Sequence, residues 1–224
     1  MTNVLYRWPE AAKFGRPVTK TKLYQHGAVS SKAKKRLIAE VEEITWAYKL
    51  AESTINLPGS SEVPEIQVLV IHAKANDVDD VVLATIDKAI KQPVIFEIAT
   101  EQGTRMTATV KAGTLSGRYY TTEWMPADRR FPLPPSITLS NLYAALLEPL
   151  LPIRIRSGEG LSDLAARLPA AARLAREIAT LERKLRTEPQ LNRKVELRRT
   201  LKAAEAKLAD LTDSTIASTI TKKN

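Results

Sequence analysis

Apolar and polar positions follow different periods in different parts of the chain, and the changes of period divide it into elements. Ile66-Gln67-Val68-Leu69-Val70-Ile71 is apolar at almost every position. That is the pattern of a strand covered on both faces at the centre of a sheet. From 79 to 91 the apolar residues Val82, Ile86 and Ile90 recur every fourth position, with Val81 and Ala89 beside them, and predict a helix. Asp77, Asp79 and Asp80 stand at its start, where carboxylates complement the helix dipole, and Pro93 stops it. Val94 to Ile98 reads as a second buried strand, Glu101-Gln102-Gly103 as a turn, Arg105 to Val110 as a third strand and Gly117 to Trp124 as a fourth. A strand, a helix and then a three-stranded meander make an α+β fold: a mixed or antiparallel sheet with packing helices.

The last quarter of the chain changes to a heptad-like period. Leu168, Ala171, Leu174, Ile178, Leu181 and Leu185 form one stripe, and Leu197, Leu201, Ala204, Leu208 and Leu211 a second. Between them lies Thr187-Glu188-Pro189-Gln190, which reads as an N-cap threonine, a proline in the first turn and a glutamine closing a capping box. Proline inside one continuous helix costs about 3 kcal/mol, so the expectation is a break there. Residues 161–212 then form a C-terminal antiparallel helical (coiled-coil) hairpin.

The remaining segments carry weaker signals. Ser30 or Ser31 is positioned to cap a helix running through Leu37, Ile38 and Val41. Residues 44–50 suit either an extension of that helix or a strand, with the β-branched and aromatic content favouring strand. Pro58-Gly59-Ser60-Ser61 is a loop. Four prolines between Pro126 and Pro135 mark a linker, and Leu139 to Leu151 a short apolar helix disturbed by Pro149. The expected organisation is an α+β domain over 1–125 with a basic N-terminal segment, a Pro-rich linker and short helix over 126–160, the hairpin over 161–212, and a flexible tail over 213–224.

Composition narrows the classes. The chain has 224 residues, 44% hydrophobic and 26% charged, as in ordinary globular proteins. Its apolar runs are too short for a membrane span and its first residues have no signal-like apolar core, so a cytoplasmic location is expected. Without cysteine there is no disulfide, thiolate metal site or cysteine nucleophile, and only His26 and His72 remain as histidines. The net charge of +9 is uneven: residues 1–49 hold ten Lys/Arg against four Asp/Glu, residues 50–150 eight against twelve, and residues 151–224 sixteen against nine. Two basic ends flank an acidic middle, a field that attracts polyanions such as nucleic acid. The candidate nucleic-acid-binding residues are Lys20, Lys22, Lys32, Lys34, Lys35 and Arg36 near the start and Arg193, Lys194, Arg198 and Arg199 on the hairpin. The cations of 32–36 sit at the end of their helix where the dipole disfavours them.

Candidate chemistry is sparse. A restriction-type nuclease places an acid two residues before a lysine on one strand, to hold a metal ion and steer water. Here His72 occupies the acid's place before Lys74, and Glu65 lies far up the strand. A Ser-His-Asp set and a glycine-rich phosphate loop are not visible. His26, after Lys20, Lys22 and Tyr24, is the most suggestive grouping, and a lone histidine beside aromatics is ordinarily a packing residue. The expectation is a protein without catalytic residues, metal or cofactor.

A series of short motifs then bears a resemblance. Trp8-Pro9 is followed by Pro17, Lys20, Lys22, Tyr24 and His26. Next come Trp46-Ala47-Tyr48-Lys49-Leu50-Ala51, Thr54-Ile55-Asn56-Leu57-Pro58, Val63-Pro64-Glu65-Ile66-Gln67-Val68 and Ile86-Asp87-Lys88-Ala89-Ile90. Pro93-Val94-Ile95-Phe96-Glu97, Thr122-Glu123-Trp124 and Leu191-Asn192-Arg193-Lys194-Val195-Glu196-Leu197 complete the series. In this order they resemble a bacterial family of unknown function whose members look like small companions of superfamily 2 helicases and DNA methyltransferases, in clusters resembling restriction-modification or phage-defence systems. The family's strand often carries a glutamate where this chain has Val70. The resemblance implies a helicase or a methyltransferase as partner; with the charge partition and the hairpin, the expectation is a non-catalytic accessory subunit whose basic N-terminal region and hairpin contact DNA or an acidic partner face, with self-association through the hairpin as a further possibility. A stand-alone nucleic-acid-binding module and a divergent metal-dependent nuclease are the alternatives.

Overall fold

A computed structural model describes residues 3–25, 29–112 and 115–212. The chain forms two compact units, Met1–Leu151 and Pro152–Asn224.

The first unit is built on one six-stranded sheet whose strands lie in chain order: β1 (Lys13–Pro17), β2 (Val41–Ala51), β3 (Glu65–Ala73), β4 (Val94–Thr100), β5 (Gly103–Ala112) and β6 (Leu115–Thr121). Only β3 and β4 run parallel. A parallel step needs a crossover, and α4 (Asp80–Ala89) supplies it. The mixed sheet and the β4–β5–β6 meander agree with the pattern of the sequence.

One face of the sheet carries Leu69, Ile71, Phe96 and Ile98, packed with Val82, Leu83 and Ile86 of α4, with Leu37 of α2 (Ser31–Glu40) and with Leu23 of α1 (Lys20–Gln25). Period-two alternation turns Glu97 to the opposite face. There its partners come from the chain's beginning, Trp8, and from the proline-rich segment, Arg130. α5 (Leu139–Leu147) belongs to the same unit, and the buried Tyr143 donates its hydroxyl to Thr109 O at 2.8 Å.

Several boundaries differ from the sequence expectation. The helix expected to reach Val41 stops at Glu40, and β2 begins at once. Buried Val41, Ile44, Ala47 and Leu50 are spaced by three, a helical interval, yet all lie on this strand. The register shift at Val41/Glu43 keeps Val41 and Ile44 together in the core with α4, whereas Leu50, opposite Ile66, lies on the other face, so the spacing reflects a strand covered on both sides.

The segment 126–160, expected as a Pro-rich linker and short helix, is divided between the units at Leu151. Its first part is built into the first unit: Arg7 N donates to Phe131 O at 2.7 Å and Phe131 N to Leu5 O at 2.8 Å. Prolines marked a linker by composition, but Phe131 in the midst of them forms a parallel β-bridge with Tyr6 of the N-terminal segment.

The second unit holds α6 (Leu161–Thr187) and α7 (Leu191–Thr212), which pack against each other as a hairpin. The predicted seam positions are buried or half-buried, with Leu181 and Ala204 buried at its middle. The expected break falls at the right place by a different device. Thr187 is the last residue of α6, and its hydroxyl donates back to Arg183 O and Lys184 O, so it does not cap α7. Pro189 lies in the turn, where the break costs no helical hydrogen bond. Arg167, buried on α6, pairs with Glu159 through Nε to Oε1 and Nη2 to Oε2, both at 2.6 Å, and donates through Nη1 to Leu211 O. Arg156 donates to Asp210 O. The carbonyls that a helix leaves unsatisfied at its C-terminus thereby find donors. The tail expected over 213–224 lies outside the described residues.

Candidate nucleic-acid interface

α2 starts at Ser30, whose hydroxyl accepts from Ala33 N at 3.2 Å. Ala33 and Leu37 are the helix's buried positions, which turns Lys32, Lys34 and Lys35 outward, all exposed. Among the described residues none of these three is in an ion pair. Lys34 Nζ lies 4.9 Å from the centre of the Tyr24 ring, a cation–π contact that leaves the charge uncompensated. The first turn of α2 contains no acid. Three cations therefore add to the positive end of the helix, an arrangement that costs stability locally.

The other basic residues picked from the sequence near the start have different surroundings. Arg36 is paired with Asp79 and lies 3.8 Å from Glu40. Asp79 is the N-cap of α4, accepting from Val81 N at 2.9 Å. That hydrogen bond, with Arg36 and Lys32 nearby, outweighs burial and holds the carboxyl below the usual aspartate range. Lys20 donates to Val41 O at 2.6 Å, and Lys74 donates to Ile38 O at 2.9 Å. Both cap the carbonyl end of α2, and burial together with the Lys74 charge lowers the Lys20 pKa from the ordinary lysine value. Lys22 is on α1, its side chain outside the described part, and His26 is also outside the described residues. The structure thus gathers Lys32, Lys34 and Lys35 into one surface and gives Arg36 and Lys20 bonds within the fold.

In the second unit Arg193, Arg198 and Arg199 are exposed and Lys194 is half-buried. A groove of about 390 Å³ on the hairpin places Arg193 and Lys184 beside Glu188 and Glu196. The charges around this groove are of mixed sign.

The first unit also has a recess that the sequence reading did not pick out. It encloses about 470 Å³ and is lined by Phe14, Arg16, Leu23, Trp46, Ile90 and Lys91 among others. The Phe14 and Trp46 ring centres are 5.2 Å apart and tilted by 54°. The available signal was two aromatic–basic neighbourhoods, Phe14-Gly15-Arg16 and Trp46. They lie far apart in sequence, and only strand pairing joins them: Arg16 is opposite Trp46.

The groups considered for nuclease chemistry are not assembled. Glu65 opens β3 and is engaged by Lys49 at 2.6 Å and by Gln67 Nε2 at 2.7 Å. His72 is seven residues further along the same strand, roughly 23 Å away at about 3.3 Å per residue. Asp77, just ahead of α4, accepts from Arg105 Nη2 at both oxygens at 2.6 Å and from Val78 N at 2.7 Å. Among the described residues no group of three or more His, Asp or Glu side chains is placed to hold a metal ion. Among the same residues no helix is long and apolar enough to cross a membrane.

Comparison with known proteins gives one match. The family described as Domain of unknown function (DUF4391) matches residues 7–208. No curated protein and no solved structure matches the chain. The match spans the sheet and nearly all of the hairpin, so the motifs running from Trp8 to Leu197 lie within it, and the chain belongs to the DUF4391 family.

Proposed function

We propose that the protein is a non-catalytic accessory subunit of a DNA-targeting assembly of the restriction-modification or phage-defence type. In this reading it holds nucleic-acid phosphates on the outer face of α2. Its larger partner is a superfamily 2 helicase or a DNA methyltransferase, the pairing that the motif resemblance implies.

The observation that carries the reading is the set Lys32, Lys34 and Lys35. All three are exposed, they share one helix, and among the described residues none is in an ion pair. Surface lysines that serve only solubility are ordinarily interspersed with acids. Here the cations crowd the end of a helix that disfavours them, in a chain of net charge +9. Lysines of this kind bind phosphate as point charges without regard to base sequence. The hairpin supports the partner half of the reading, because Leu191 and Val195 of α7 are exposed apolar residues outside its seam.

The test is binding of a labelled DNA duplex at low salt by the intact protein and by Lys32→Ala/Lys34→Ala/Lys35→Ala. The reading expects binding by the first and a large loss in the second. Equal affinities, or no binding by either, refute it. Co-purification with a helicase or methyltransferase encoded beside the gene tests the partner.

A further inference from the structure

We propose that the recess beside β1 takes an unstacked base of single-stranded nucleic acid, with the adjoining phosphate on Arg16 and Lys91. The inference rests on the nucleic-acid reading above and deepens it, by naming the form of the polymer that is bound.

The recess is constructed by an irregularity. Lys13 is opposite Tyr48 and Arg16 is opposite Trp46, so β1 carries one residue more than β2 over this stretch. Gly15 absorbs the extra residue at φ +62°, a left-handed conformation that glycine adopts without a steric penalty. A bulge of this kind re-aims side chains. Here it brings Phe14 against Trp46 and sets the Arg16 guanidinium 4.6 Å from the centre of the Phe14 ring.

Trp46 is held in place from behind. Its Nε1 donates to Gln67 Oε1 at 2.7 Å, the Gln67 amide donates to Glu65 at 2.7 Å, and Glu65 is paired with Lys49 at 2.6 Å. The indole therefore has little orientational freedom to lose when a ligand arrives. Phe14 and Trp46 are both half-buried, so neither ring is closed into the core.

The charges point to the ligand. Among the described residues no Asp or Glu lines the recess, and the two ionised side chains there, Arg16 and Lys91, are both cationic and exposed. Among the described residues neither is in an ion pair. Pinning an edge strand to the sheet explains two aromatic rings. It does not explain two cations placed together without an anion. A flat π-system bearing a phosphate satisfies both features, and aromatic platforms beside a basic track are how proteins bind single strands. The volume of about 470 Å³ lies within the roughly 300–1,000 Å³ of small-ligand sites. A base still paired within a duplex does not present its face to such a recess, so the bound form is single-stranded.

The experiment measures fluorescence anisotropy of a labelled oligothymidylate and of a labelled duplex of equal length. Both are titrated with the intact chain, Arg16→Ala, Phe14→Leu and the triple lysine variant. Arg16 is exposed and its removal leaves the core intact, which keeps the test valid where Phe14→Leu fails to fold. The expected result is that each recess variant weakens oligothymidylate binding by about tenfold and changes duplex binding by less than about twofold. Quenching of tryptophan fluorescence by the oligothymidylate, lost in Trp46→Phe, supports the same placement. If the recess variants leave both affinities unchanged, or lower both equally, while the triple lysine variant weakens both, the inference is overturned and the α2 reading stands. If the intact chain binds neither probe at low salt, both are overturned.

Discussion

Arg130 grips Glu97 through two parallel hydrogen bonds, Nη1 to Oε1 at 2.8 Å and Nη2 to Oε2 at 2.9 Å. Glu97 is on the strand beside the parallel step of the sheet and its side chain is only 2% exposed. The same carboxylate accepts from Trp8 Nε1 at 2.6 Å, and Arg130 Nη1 also donates to Tyr6 O at 2.8 Å. One buried acid thus ties both the start of the chain and the proline-rich segment to the sheet. Removing one member of such a pair strands the other charge in a desolvated place, at a cost of about 3 kcal/mol. Arg130→Ala and Glu97→Gln are both expected to lower the urea midpoint of unfolding by a corresponding amount. An unchanged midpoint in Arg130→Ala would show that the carboxylate is satisfied without it.

Gly103 opens β5 at φ +131°, and a Cβ there would fall inside contact distance of Met125 O. That carbonyl is fixed, since Thr104 N donates to it at 2.8 Å and Met125 N donates to Thr104 O at 2.9 Å. Gly103→Ala must therefore shift backbone, with strain of about 2 kcal/mol. Thermal unfolding followed by circular dichroism is the measurement, and an alanine variant as stable as the parent contradicts the geometry.

Glu159 makes the second unit sensitive to acid. Burial pushes its carboxyl up, but the hydrogen bonds from Arg167 and Arg156 N and the two guanidinium charges outweigh it, and the net shift is downward. A carboxyl with a lower pKa folded than unfolded binds fewer protons in the native state. Its stabilisation is then present above the ordinary glutamate value of about 4.3 and fades as pH falls through the lower folded value. Urea titrations from about pH 7 down to about pH 3 are expected to show a steep acid limb in the parent and a shallower one in Glu159→Gln. The same limb in both would sink the assignment.

Phosphate contacts by the α2 lysines have a salt signature. Each phosphate neutralised on a duplex contributes about 0.9 to the slope of log affinity against log salt. Loss of Lys32, Lys34 and Lys35 together is expected to flatten that slope by about 2.7. Arg36→Ala tests the contrast, because its guanidinium is already paired with Asp79. It is expected to leave the slope unchanged and to lower stability.

The helix at α4, the buried strands and the hairpin seam were legible in the sequence because periodicity is a local property. A stripe of Leu174, Ile178, Leu181 and Leu185 is apolar on one face whatever it meets. The basic cluster of 32–36 was legible as a run of like charges, but the pairing of Arg36 with Asp79 within it was not. β1 was not, since a five-residue segment with one half-buried side chain has no period to read. The role of Lys20 was also invisible, because the carbonyl it caps belongs to Val41, twenty-one residues on.

By itself, then, the sequence determined the types of most elements, the α+β class with a mixed or antiparallel sheet, and the hairpin, which follow from spacing along a helix or strand, and it marked the basic cluster of 32–36. Only the tertiary structure decided which charges face solvent and which are used inside. It gave Lys20 and Arg36 partners within the fold, turned a proline-rich stretch into part of the first unit, and brought Phe14 and Arg16 to Trp46. The reason is physical: a side chain's partner is set by strand pairing and register between segments distant in sequence, and that information is carried by no single stretch of residues.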